Sequence, residues 1–418
     1  MKAVIMAGGK GTRLHALTND EIPKPMAPIC GKPILKWQIE CLKKNGIEEI
    51  MLVVGHLSKT ICEYFGNDYA YYYEEPPLGT AGALPKIRDF YGSEDFLLIF
   101  GDTLFDIDIA RMERFHKAKQ SQATLFVHPN SHPFDSDLVI LGENNRVMKF
   151  DAKENDRDHW YHNIVNAGLY IINPAIIPQS GGKLDLEKDL FANIIQKCGV
   201  YGYRSTEYIK DAGTIERISQ IESDIQNGVV SARNLSQKQK AIFLDRDGTL
   251  NRDMGDAISI ENFSLFPEAA EAIRRINTSG YLAIVITNQP MVAKGFITLD
   301  ELRVMHAKME SLLGCKAAYT DAIYYCPHHP DKGFAGEVPA LKLDCACRKP
   351  NPGMIVKAAE DWNIDLSASY MIGDSARDQQ AAESANVKFI KVSEEYSVLH
   401  AVKSIFMEAN DDNNQNAV

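Results

Sequence analysis

Short continuous apolar runs recur along the chain, and each stops at a glycine or a small polar residue. They include AVIMAGG (3–9), EIMLVVGH (49–56) and FLLIFGD (96–102), then AIFLDRD (241–247), LAIVITN (282–288) and SYMIGDS (369–375). Runs without apolar/polar alternation have no face to offer water. Such strands belong in parallel sheets covered on both sides. PILKWQIECLKKNG (33–46), with apolar residues at helical spacing and a terminal glycine, is the kind of segment that covers them. The predicted class is α/β. At 418 residues the chain exceeds what one core usually organises, so two doubly wound domains are expected.

The boundary falls in NGVVSARNLSQKQKA (227–241), which is polar, weakly patterned and followed by a fresh strand. It predicts a domain over 1–228, a linker over 229–240, a second domain over 241–405 and a flexible polar tail over 406–418. A net charge of −11 argues against nucleic acid or an anionic membrane as a bulk partner, while phosphorylated ligands remain open through local basic pockets. No apolar run reaches the length of a membrane span, and MKAVIMAGGKGT reads as a first strand rather than a signal peptide. A cytoplasmic protein is expected, with a homo-oligomer left open. In a reducing compartment the clustered cysteines Cys326, Cys345 and Cys347 favour metal over disulfide.

In the first half, MAGGKGTRL (6–14) lies between a strand and a helical stretch. Gly8, Gly9 and Gly11 let backbone N–H groups approach a phosphate, and Arg13 can fork onto its oxygens. Alone, such a loop is equally a tight strand-to-helix turn. Lys24 stands between two stiffening prolines, a second glycine turn follows at Gly79 and Gly82, and Asp102 ends a strand. Asp211 precedes another Gly-Thr turn, and carboxylates from two distant strands can hold one Mg²⁺. The ordered set GGKGTRL, PKP, LGTAG, GD, NAG and DAGT resembles the sugar-phosphate nucleotidyltransferases over residues 1–225. That resemblance implies a Rossmann-like fold and attack of a sugar 1-phosphate on the α-phosphate of an NTP. It places Gly8, Gly9, Gly11, Thr12, Arg13 and Lys24 on the triphosphate, Gly79 near the base, Asn166 and Gly168 near the sugar, and Asp102 and Asp211 on Mg²⁺. FDAKEN (150–155) departs from the family's Phe-x-Glu-Lys-Pro but keeps Lys153, a candidate contact to the substrate phosphate.

In the second half, Asp245 ends a strand, where a carboxylate can attack phosphorus. Asp247 can protonate the leaving oxygen and later activate water. Thr287 and Asn288 offer a hydroxyl and an amide to phosphate oxygens, and Lys349 a point charge. Asp374, with Asp378 behind it, completes an Mg²⁺ site with Asp245 and the Asp247 carbonyl. An isolated Asp-x-Asp is usually a turn; four such sites in order resemble the haloacid dehalogenase superfamily over residues 240–395. Cys326/His328 and Cys345/Cys347 form two ligand pairs across a polar loop, suited to tetrahedral Zn²⁺, with His329 spare. Next to Cys-Arg-Lys-Pro this pattern is similar to the heptose bisphosphate phosphatases and their histidinol-phosphate relatives. There zinc is structural and pins the loop that here carries Arg348 and Lys349. TNQPMVAKG (287–295) departs from that branch at Pro290, Met291 and Lys294.

Together the two resemblances imply consecutive steps of nucleotide-activated heptose synthesis. The second domain would remove the C7 phosphate of D-glycero-D-manno-heptose 1,7-bisphosphate. The first would couple the remaining 1-phosphate to a nucleotide, with GTP expected from the pairing. Another sugar and base, a phosphatase of other specificity, or one half serving as a non-catalytic regulatory domain are the competing expectations.

Overall fold

The structure, a computed structural model, describes residues 1–9, 22–197, 199–257 and 259–415. Gly11, Thr12 and Arg13 therefore lie outside the described residues. The chain divides into two compact units. The first comprises Met1–His128, Ser136–Glu154 and Ile164–Asn234; the second comprises Pro129–Asp135, Asn155–Asn163 and Leu235–Val418. Two short excursions of the N-terminal half thus belong to the second unit.

The first unit is built on strands β1 (Lys2–Met6), β2 (Pro28–Ile29), β3 (Lys32–Pro33), β4 (Ile50–Val54), β5 (Ala70–Tyr73), β6 (Phe96–Phe100) and β7 (Thr103–Asp106). After these come β8 (Ala123–His128), β9 (Leu138–Leu141), β10 (Val147–Asp151), β11 (Val165–Ile172), β12 (Val200–Arg204) and β13 (Tyr208–Asp211). The main sheet runs β10-β9-β11-β6-β1-β4-β5, with β8 paired to β11 and β12 paired to β8. Its centre, β6-β1-β4-β5, is parallel as the apolar runs predict. β11 is antiparallel to β6, so the sheet as a whole is mixed. Within β1, Ala3 and Ile5 enter one core cluster and Val4 the other, all fully buried. Each buried isoleucine or leucine stabilises the unit by roughly 1.5–3 kcal/mol relative to an exposed one.

The second unit holds β14 (Lys240–Leu244), β15 (Tyr281–Asn288), β16 (Ala322–Cys326), β17 (Tyr370–Gly373) and β18 (Lys388–Lys391), ordered β16-β15-β14-β17-β18. All of its strand pairs are parallel. Ile242 and Leu244 pack on one face, and Ala241 and Phe243 on the other. The sequence around 229–240 is more ordered than a linker of its composition suggests: Val229–Ala232 is helical, with Val229 and Val230 buried. The helix Val398–Gln415 runs into the stretch for which composition predicts a flexible tail. Among the described residues, no helix is long and apolar enough to cross a membrane.

One topological fact positions both candidate sites. β1 has β4 on one side and β6 on the other; β14 has β15 on one side and β17 on the other. The strand order reverses at each of these two strands, and α/β sheets open a crevice beyond the carboxyl end of such a strand. Gly8 follows β1 after Ala7, and Asp245 follows β14 directly.

Several motif glycines are dictated by backbone approach. Gly79 has φ +86°, and a Cβ there would lie 2.6 Å from the carbonyl oxygen of Leu184. Gly79→Ala is expected to destabilise the first unit by about 1–3 kcal/mol in urea titrations, leaving the second transition in place. An unchanged first transition would contradict this packing.

Candidate functional sites

In the first unit the turn after β1 is tight. A Cβ on Gly8 would lie 3.3 Å from the Gly55 backbone nitrogen and 3.4 Å from Glu74 Oε2. Among the described residues, no atom lies within 4 Å of a Cβ placed on Gly9. Lys24 begins a short 3₁₀ turn, Lys24–Met26, and its ammonium pairs with the Asp102 carboxylate. Gly101 allows this approach, since a Cβ there would meet Met6 O at 3.0 Å and Pro25 Cγ at 3.1 Å. β7 and β13 form a separate antiparallel ladder that sets Asp211 opposite Thr103. The Ala212 N–H donates to the Asp102 carbonyl at 2.8 Å, so Asp102, just before β7, and Asp211, at the end of β13, lie at the same end of this ladder though more than a hundred residues apart in sequence. Arg217 faces Asp211 at 2.6 Å.

The NAG segment lies in β11. Asn166 donates its amide to Tyr170 Oη at 2.7 Å and also to Glu187. Gly168, at φ +74°, leaves room for the Phe100 ring, whose Cδ2 would be 3.0 Å from a Cβ. Lys153 follows β10, and its backbone N–H donates to Asp137 Oδ1 at 2.9 Å. Sequence reasoning missed Glu187, because an acidic residue in LDLEKDL reads as a solvated helix face. Burial, with Asp137 adding to it, pushes its carboxyl up to about 7.

In the second unit Asp245 and Lys349 are both buried. Lys349 Nζ lies 2.7 Å from Asp245 Oδ1 and 2.6 Å from Asp378 Oδ1, and donates to Ile286 O at 2.8 Å. Burial pushes the Asp245 carboxyl up, and Lys349 opposes that shift. Burial disfavours the charge on Lys349, yet Asp245 and Asp378 hold its ammonium above the ordinary range. The Lys349 backbone is fixed by a reciprocal pair with Asn288: Asn288 Nδ2 donates to Lys349 O at 2.9 Å, and Lys349 N–H donates to Asn288 Oδ1 at 3.0 Å. Thr287 is fully buried and accepts from Gln289 Nε2 at 2.8 Å. Asp378 caps the helix Ala376–Ser384 in a reciprocal box with Ser375, which frees its other oxygen for Lys349. Gly248, at φ +86°, is demanded by Asp374, whose Oδ2 would be 2.1 Å from a Cβ.

Asp247 is held by residues that sequence reasoning passed over. Arg246 Nη2 lies 2.9 Å from both of its oxygens, Gln289 Nε2 donates to Oδ2 at 2.6 Å, and Asn251 Nδ2 donates to Oδ1 at 2.9 Å. These groups open onto a cleft of about 290 Å³ that also carries Lys294, Arg348, Arg377 and the spare His329. Oxygen atoms of Asp245, Asp374 and Asp378 lie within 4.8 Å of one another, a hard donor set that could hold a metal ion. So do one ligand atom each from Cys326, His328, Cys345 and Cys347. The three sulfurs are 3.2–3.5 Å apart, too far for disulfides and a little inside the spacing of roughly 3.8 Å between thiolates on a tetrahedral metal. Arg348 follows this cluster directly and donates to His328 O at 3.2 Å.

Two doubly wound units, each with a polar turn where its strand order reverses, define an α/β enzyme with two separate sites. The chain belongs to the nucleotidyl transferase family, whose model matches residues 2–228, and a HAD-hydrolase-like model matches residues 346–403. It is 40% identical over 153 residues to the D-glycero-beta-D-manno-heptose-1,7-bisphosphate 7-phosphatase of Yersinia pestis, covering 37% of this chain and 79% of that protein. A solved structure of HddC from Yersinia pseudotuberculosis complexed with GMP-PN matches at 25% identity and TM-score 0.48, over 54% of this chain and 99% of that one. A D,D-heptose 1.7-bisphosphate phosphatase from B. bronchiseptica, complexed with magnesium and phosphate, matches at 31% identity and TM-score 0.36, over 41% of this chain and 99% of that one. The protein is a nucleotidyltransferase joined to a phosphomonoester hydrolase.

Glu187 generates a stability prediction. Its folded-state pKa is raised to about 7 from an ordinary 4.5. The stability it contributes is therefore complete below pH 4.5 and is lost as pH rises through 7. Glu187→Gln should flatten that slope in urea melts of the first unit; an unchanged slope would place the titration elsewhere.

Proposed function

We propose that the chain carries out two consecutive steps of nucleotide-activated heptose synthesis. The second unit removes the C7 phosphate of D-glycero-D-manno-heptose 1,7-bisphosphate, and the first transfers GMP from GTP to the resulting heptose 1-phosphate, releasing pyrophosphate. The observation that carries this is the end of β14, where Asp245, Asp247 and Lys349 converge on one cleft, together with the 40% identity of 153 residues of the chain to the Yersinia pestis phosphatase. GTP follows from the pairing of the two activities.

In the phosphatase, Asp245 is the nucleophile and Asp247 the acid and then the base. Lys349 holds Asp245 in line and stands against charge developing on the phosphoryl group. Asn288 contributes by fixing the Lys349 backbone, and Thr287 by anchoring Gln289. Arg348 and the cationic rim of the cleft take the sugar phosphate. Asp245, Asp374 and the Asp247 carbonyl would hold Mg²⁺, which supplies charge neutralisation on the phosphoryl oxygens. Cys326, His328, Cys345 and Cys347 would hold a structural Zn²⁺ that fixes the Arg348–Lys349 loop.

In the transferase, an oxygen of the sugar 1-phosphate bonds to the α-phosphorus as the bond to the β-phosphate breaks. Gly8, Gly9, Gly11, Thr12, Arg13 and Lys24 cradle the triphosphate, Gly79 lies by the base, Asn166 and Gly168 by the sugar, and Lys153 by its phosphate. Asp102 and Asp211 would hold Mg²⁺; their neighbouring strand ends suit one ion, and each carboxylate already faces a cation. The protein is expected in the cytoplasm.

Asp245→Asn should abolish phosphate release from the bisphosphate while nucleotidyl transfer to heptose 1-phosphate survives, and Asp102→Asn should do the reverse. Joint loss in either variant would argue against independent sites. Protein purified without chelator should contain about one zinc per chain, and Cys345→Ser should lower both zinc content and phosphatase turnover. Zinc-free protein of full activity would remove the metal assignment.

A further inference from the structure

Arg246 has no exposed surface, and the guanidinium contacts among the described residues are to side chains. Nη2 donates to Asp247 Oδ1 and Oδ2, each at 2.9 Å, and Nε to Oδ1 at 3.2 Å. Nη2 also reaches Gln289 Oε1 at 3.0 Å. Gln289 closes the triangle by donating to Asp247 Oδ2 at 2.6 Å, and its backbone N–H is tied to Cys326 O at 2.7 Å. Phe263 lies against the guanidinium, with Cζ 5.6 Å from the ring centroid, and Nη1 is 3.5 Å from Met305 Sδ. A buried guanidinium is costly unless paired with good geometry. Here the planar fork meets the one carboxyl that has to face a leaving oxygen and then a water.

We propose that Arg246, closed into a triangle by Gln289, is a positioning residue that fixes the plane of the Asp247 carboxyl for its two proton transfers. This rests on the phosphatase reading above. In the first step an Asp245 oxygen bonds to phosphorus and the P–O bond to the sugar breaks. The electron pair stays on the sugar oxygen, and the proton of Asp247 moves to it. In the second step a water oxygen bonds to phosphorus, a water proton passes to Asp247, and the bond to Asp245 breaks to return its carboxylate. Neither transfer tolerates a carboxyl rotated out of line. Lysine at 246 would keep the charge and lose the fork.

The test uses the full chain with Mg²⁺, carrying Arg246→Lys, Arg246→Met or Gln289→Leu. Two substrates separate positioning from folding. Nitrophenolate leaves 4-nitrophenyl phosphate without needing a proton, so its pre-steady-state burst reports on Asp245 alone. Turnover of the sugar bisphosphate needs Asp247. The expected result is a burst within about twofold of wild type, with sugar bisphosphate turnover lowered about a hundred-fold at unchanged KM, for lysine as for methionine. Parallel loss of burst and turnover would make Arg246 a structural residue and overturn the proposal. Full turnover in Arg246→Lys would overturn the role of the fork. If Arg246→Met does not fold, Gln289→Leu carries the same comparison. Wild-type protein that shows no burst and releases no phosphate from either substrate would remove the phosphatase assignment itself, and the Arg246 proposal with it.

Discussion

A parallel strand buried on both faces can do polar chemistry only at its ends. In β1 and β14 every core position is apolar and covered from both sides, so the polar groups gather where the chain leaves the sheet. The order reversal beside each strand opens the crevice there. Gly8 and Asp245 occupy equivalent places in their own units. Two unrelated sets of motifs are thus held by one architectural device used twice.

The second site shows what burial at a strand end demands. Lys349 is an ammonium almost without solvent, and it is tolerable only because Asp245 and Asp378 flank it. Asp378 can do so because its other oxygen caps a helix with Ser375. Asp374 can approach because residue 248 has no Cβ. Asn288 ties down the backbone that carries Lys349, and Cys347 of the cysteine and histidine cluster immediately precedes Arg348. Removing one of these supports leaves a buried charge unpaired or a loop unanchored.

Much of this was legible in the sequence, for identifiable reasons. Continuous apolar runs specify buried parallel strands, and strand-end Asp, Gly and Thr residues mark ligand positions. The metal-type spacing of Cys326, His328, Cys345 and Cys347 needs only local reasoning, and their ligand atoms do converge. What escaped depends on packing between distant segments. Arg246 stands between two aspartates, a local pattern that carries no signal of burial, yet it is fully buried. Glu187 reads as a surface acid, but Asn166 and Tyr170 draw it inward. The antiparallel β11 and the excursions Pro129–Asp135 and Asn155–Asn163 follow from long-range pairing that no local pattern encodes. The reason for Gly79 is likewise a carbonyl a hundred residues away, that of Leu184.

The central claim is that one chain performs two ordered reactions on one sugar. It is tested most directly by following ³¹P resonances while the purified protein meets D-glycero-D-manno-heptose 1,7-bisphosphate, Mg²⁺ and each common NTP in turn. The account predicts inorganic phosphate first in every sample, then pyrophosphate and a nucleoside diphosphate heptose with GTP. Pyrophosphate appearing without prior phosphate release, or no coupled product with any nucleotide, would contradict it.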